Sequence, residues 1–252
     1  MNFIDTNAWS GSWPFGSVSS VNSEAPRVSR VGYEINEALI SPFDAVFQTD
    51  PMPGNRANFK ALAMLRSFRP LPILNPATPA WKEHLEEISD HGRVVAVRLL
   101  PAYHGYSLRS ASVKKLIEEL AAKKLKLVIT ARLVDERQEH PALSIKPISI
   151  PQIKGFLDKA PELHPLIQGL GVHELKELST TQGAFSTDTS FAEWEDTLRV
   201  LKADIPVSRI LFGSLSPLQV AQAQFDKVRL SSLPRGQRDA VAMCNAQSFF
   251  DI

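Results

Sequence analysis

Apolar residues in this chain fall into short, β-rich runs, separated by longer stretches in which they recur every three or four positions. The runs near 2–5, 39–47, 70–75, 94–100, 125–131, 165–170, 184–189 and 208–213 read as strands. Eight strands alternating with amphipathic stretches predict an α/β fold, a (β/α)8 barrel built on a parallel sheet. The 252 residues match one such barrel and are expected to form a single domain, 1–252.

The intervening stretches carry helix signals. Thr78 with Pro79 offers an N-cap and a first-turn proline before Trp81, Leu85 and Ile88. From Ser112, the residues Val113, Leu116, Ile117 and Leu120 share one face, with Lys and Glu on the other. Ser190, with Glu193 three residues later, predicts a capping box before Trp194, Leu198 and Leu201. Prolines such as Pro51, Pro101, Pro147 and Pro217 gather where strands give way to loops, which suggests a built-up barrel mouth.

Composition narrows the partners. With 28 Lys+Arg against 27 Asp+Glu, the charges are interspersed and form no stripe for a polyanion, which argues against nucleic acid. Cys244 is the one cysteine, so neither an internal disulfide nor a cysteine-built zinc site is available, as expected for a cytoplasmic chain. Asp5 and Asn7 interrupt what would have to be the apolar core of a signal peptide, and no run approaches the roughly 18 apolar residues of a membrane span. The expected partner is therefore a small anionic ligand or substrate, with neither nucleic acid nor membrane; homo-oligomerisation is left open.

Stretches that carry a further signal are "FIDTNAWSGSWPF" at 3–15, "PILNPATPAWKEHLEE" at 72–87, "VRLLPAYHGYSL" at 97–108, "RLVDERQEHP" at 132–141, "RILFGSLSPL" at 209–218 and "NAQSFF" at 245–250. In this order they resemble the amidohydrolase superfamily, in particular the branch that also contains decarboxylases and lactonases. The resemblance implies a metal-dependent-hydrolase barrel, with two histidines at the end of the first strand and an aspartate after the Gly-Ser that ends the eighth. Here those positions match Asn7, Trp9 and Leu215, and Thr130 and Arg132 occupy the region of the fifth-strand histidine. A neutral amide, an indole without a free lone pair and an aliphatic chain do not replace those ligands. A metal lowers the pKa of bound water from about 15.7 to about 7, so forming hydroxide without it costs roughly 12 kcal/mol more. The expectation is thus a hydrolase by descent with no cofactor, in which Asn7 and Trp9 fill the place of the metal.

Polar residues still crowd the strand ends. His104 is the candidate acid or base, and Asp135 or Asp188 its orienter or an alternative base. Arg98, Arg132 and Arg137 are candidate anion binders, because guanidinium forks match carboxylates, and Tyr103, Tyr106, His140, Asn7 and Trp9 complete the expected pocket. Arg132, Asp135 and Arg137 have an alternative as an ion-paired loop network. The reading is a hydrolase acting on a small carboxylated substrate. Its alternatives are a catalytically inactive barrel that binds a small anion or a protein partner, and a metalloenzyme with zinc or another divalent metal on His104, His140, His173 and Asp188.

Overall fold

A computed structural model of the chain describes residues 1–15, 34–135, 140, 143 and 145–252. Its eight strands are β1 (Asn2–Ser10), β2 (Glu34–Pro42), β3 (Phe68–Pro70), β4 (Ala96–Leu99), β5 (Lys126–Thr130), β6 (Leu166–Gln168), β7 (Ser186–Asp188) and β8 (Ile210–Leu211). All pair in parallel, in the orders β1-β2-β3 and β4-β5-β6-β7-β8. Backbone bonds join the two arcs. Arg98 N donates to Pro72 O at 2.8 Å and Leu74 N to Arg98 O at 3.0 Å, while Thr6 N donates to Phe212 O at 3.0 Å and Trp9 N to Ser216 O at 2.9 Å. The sheet closes on itself as a barrel, which leaves no sheet edge to protect.

Side chains alternate across each strand, so the interior is built in layers. Ile4, Leu39, Leu71, Ala96, Val128, Leu166 and Leu211 pack together in the lower layer. Ala246 and Phe250, from the helix Asn245–Phe250, close it from below. Two residues further along β4, β5 and β6 the same face carries Arg98, Thr130 and Gln168, and β7 brings Asp188; all four are buried. Above this polar layer lies an apolar cover of Trp9, Trp13, Phe43, Ile73, Leu100, Leu133 and Leu215.

Two elements depart from the sequence pattern for identifiable reasons. The second strand ends at Pro42, which has no N–H for the ladder, and Phe43–Ala45 turns instead as a 3-10 segment. Phe43, Ala45 and Val46 then find their burial in the cover, not in a strand. The helix expected after Ser190 begins only at Thr197, capped by Asp196, whose side chain accepts from Arg199 N. Ser190 is held elsewhere, by Asp188. The helix Ala111–Ala122 follows the pattern, with Ser110 as its N-cap and Val113, Leu116 and Leu120 buried. The helix Trp81–Asp90 begins without a side-chain cap; Thr78 Oγ1 donates to Asn75 O.

Candidate functional site

The polar layer centres on Asp188 and Arg98. Asn7 Nδ2 donates to Asp188 Oδ2 at 2.9 Å and to Ser190 Oγ at 3.2 Å, and Ser190 Oγ donates to Asp188 Oδ1 at 2.9 Å. Trp9 Nε1 donates to Asn7 Oδ1 at 2.9 Å, so Asn7 joins the indole to the carboxylate. Room for this arrangement comes from Gly213, where a Cβ would run into the Asp188 carboxylate and stand 3.0 Å from Asn7 Cβ. Burial pushes the Asp188 pKa up to about 6, against the lowering effects of Ser190, Asn7 and Arg98. Asp5 lies close by, its Oδ1 accepting from Asn7 N and Ser214 N, each at 3.0 Å, and burial raises its pKa too.

Arg98 is 0% exposed, and its guanidinium carbon stands 4.2 Å from the centre of the Trp9 ring. Desolvation lowers its pKa to about 9, opposed by the charges of Asp188 and Asp5. Nε, Nη1 and Nη2 are all buried without a hydrogen-bond partner among the described residues. In the same layer, Thr130 Oγ1 and Gln168 Oε1 are buried without a hydrogen-bond partner among the described residues, while Gln168 Nε2 donates to Thr6 O at 3.0 Å. Donors and acceptors left without a polar partner in such a layer are costly by about 1–3 kcal/mol each, and more for a charge.

Other expected site residues lie apart from this layer. His104 Nε2 is 3.4 Å from Ala45 O, and burial lowers the ring's pKa; no hydrogen bond or ion pair among the described residues joins it to Asp188. Tyr103 accepts from Leu133 N at 2.9 Å and packs on Phe47, in a supporting role. Arg132 donates through Nε to Gly169 O at 3.0 Å, pairs with Glu174 and lies over Phe191, so its charge is already matched. Asp135 is half-buried in the loop after β5, and Arg137 lies outside the described residues. His140 is exposed beside Phe15, and His173 meets Trp194 edge-on. Tyr106 borders a separate cavity. Of the residues expected at the pocket, Arg98, Asp188, Asn7 and Trp9 come together in space, joined by Ser190 and, in the same layer, Gln168, neither of which the sequence pointed to as a pocket residue. Strand alternation from Leu166 would have pointed Gln168 inward.

No family model and no curated protein matches the chain. Solved structures do. A protein from Staphylococcus aureus assigned as an amidohydrolase superposes with TM-score 0.75 at 10% identity, covering 100% of both chains. A 2,6-dihydroxybenzoate decarboxylase from Rhizobium gives 0.72 at 14%, over 99% of this chain and 98% of the other. A dihydroxybenzoic acid decarboxylase from Polaromonas sp. JS666 gives 0.67 at 16%, over 86% and 82%.

This last structure contains bound manganese, and it overturns the expectation that a barrel of this fold goes with no cofactor. The relocated set His104, His140, His173 and Asp188 is not brought together, since no group of three or more His, Cys, Asp or Glu suited to a metal occurs among the described residues. The polar layer does not fit an ion either. The Arg98 charge, which acts on both Asp188 and Asp5, would repel a cation there.

Trp9→Phe keeps an aromatic, though smaller, ring facing Phe43, 5.0 Å from the indole in the wild type, but strips Asn7 Oδ1 of its donor. Urea unfolding should show a loss of about 1–3 kcal/mol, and unchanged stability would remove the indole from the network. The fold of this chain is the (β/α)8 barrel that it shares with these solved structures.

Proposed function

We propose that this is an amidohydrolase-related enzyme that takes a small carboxylated molecule into the polar layer of its barrel mouth, with Arg98 as the carboxylate anchor and Asp188 as the group that exchanges a proton with it. One observation carries the reading: a fully buried guanidinium whose three nitrogens have no partner among the described residues. A carboxylate is the ligand such a fork accepts in two parallel bonds, and it cancels the buried charge. Thr130 Oγ1 and Gln168 Oε1 supply a donor and an acceptor for a second polar function on the same molecule. Asp188, with a pKa of about 6, is largely ionised at neutral pH yet close enough to it for proton transfer. The decarboxylases of the same fold act on hydroxylated benzoates, which supports an aromatic acid as the first class to try.

A second reading has its own support. Trp9 covers Arg98 and is itself 0% exposed, so a ligand enters only when the cover opens. A barrel that binds the acid without turning it over would tolerate such a closed roof.

Calorimetric titration of the full chain with 2,6-dihydroxybenzoate, with and without manganese, should show saturable binding at one site. No binding under either condition contradicts both readings. Binding without any loss of the acid on prolonged incubation favours the second.

A further inference from the structure

On the flank of the barrel, between the turn that follows the helix Pro101–His104 and the segment that enters the helix Ile150–Leu157, lies a cavity of about 640 Å3. This is within the range of about 300–1,000 Å3 typical of small-molecule sites. Its walls divide by chemistry. Pro101, Leu108, Pro147 and Ile148 give it apolar surface, whereas Arg109 and Lys146 are exposed at its rim. No acidic side chain is among the described residues that line it. Neither cation makes an ion pair with a described residue.

The Arg109 guanidinium lies close over Gly155. A Cβ at Gly155 would collide with the Arg109 guanidinium, so the absence of a side chain there lets the fork lie along the helix Ile150–Leu157. Two unmatched positive charges held over an apolar pocket attract an ion that is charged at one end and apolar at the other. A fully hydrated inorganic anion would gain the charges but leave the pocket unused, and a neutral apolar molecule the reverse.

We infer that this flank cavity is a second binding site, for a small amphipathic organic anion whose acidic group lies between Arg109 and Lys146 and whose apolar body enters the space bounded by Leu108 and Ile148. It is separate from the polar layer of the barrel and uses none of its residues.

Anilinonaphthalene sulfonate is the probe, because it combines a sulfonate with fused apolar rings and fluoresces when desolvated. Titrated into the full chain, it should give a saturable rise in fluorescence. The double variant Arg109→Glu with Lys146→Glu should weaken the binding by at least about tenfold, as expected for reversing charges that hold a sulfonate. Ser107→Trp, at an exposed position on the cavity wall, should block it by bulk, and Arg98→Met should leave it unchanged. An absence of saturable binding overturns the inference. So does an affinity unaffected by both cavity variants, or a loss seen only with Arg98→Met, which would place the probe in the barrel mouth.

Discussion

Relative to an Asp188→Asn variant, the wild-type chain should lose about 3 kcal/mol of stability as the pH rises from 4 to above 6. Burial raises the Asp188 pKa from 3.8 to about 6, so between these values the folded chain holds a proton that the unfolded chain has released. The stability associated with that proton is fully present below the unfolded pKa and is lost as pH rises through the folded one. The shift of about two pKa units, at about 1.36 kcal/mol each, sets the size. A difference curve is needed because other groups titrate nearby. His104 and His164 have pKa values lowered by burial and therefore stabilise the fold as pH rises through their own range. Asp5, raised like Asp188, is present in both proteins. Urea unfolding at a series of pH values measures the curve, and a flat difference would contradict the buried, proton-exchanging carboxylate.

Arg98→Met should make the protein more stable and unable to hold its ligand. Lowering the pKa of Arg98 from 12.5 to about 9 corresponds to about 5 kcal/mol of unfavourable burial at neutral pH, a gross figure that repacking and the partner charges reduce. Methionine fills similar length without charge, while Asp188 and Asp5 lose a favourable neighbour and retain protons more readily. Replacing buried charge by apolar side chains is often stabilising by about 1–4 kcal/mol, which in a chain of this size raises Tm by several degrees. Removing the anchor of a desolvated carboxylate costs about 2–5 kcal/mol of binding, or roughly 30- to several-thousand-fold. A variant that melts lower and still binds 2,6-dihydroxybenzoate as before would make Arg98 a structural cation. The predicted combination is the usual signature of a site that sacrifices stability for function.

Much of this was legible in the sequence, and the exceptions share a cause. Each of the eight apolar runs overlaps a strand, because parallel strands buried on both faces read as near-continuous apolar stretches. The end of β2 escaped because Phe43 and Val46 are apolar for the sake of the aromatic cover, and composition does not distinguish that from a strand. Ser190 resembled a helix cap because serine oxygens serve backbone amides and carboxylates alike; only the approach of Asp188 decides which. The candidate site was legible in part. Arg98 and Asp188 follow from strand ends that converge, whereas His104 and Arg132 depended on the course of loops, where Ala45 O and Glu174 claim them. Asn7 and Trp9 could be recognised as unusual at the first strand end, and alternation puts them on one face of β1, but the indole-to-amide bond depends on side-chain rotamers that alternation does not fix.

Binding of a carboxylate by the buried guanidinium of Arg98 is tested at the atom concerned by nitrogen NMR of the arginine Nε–H groups. The resonance absent from Arg98→Met identifies Arg98 in the wild-type spectrum. On addition of 2,6-dihydroxybenzoate that resonance should move and saturate with the calorimetric binding curve, as the unpartnered Nε–H gains a charged acceptor. A resonance that stays in place while the acid binds elsewhere, or while no acid binds, would contradict the account.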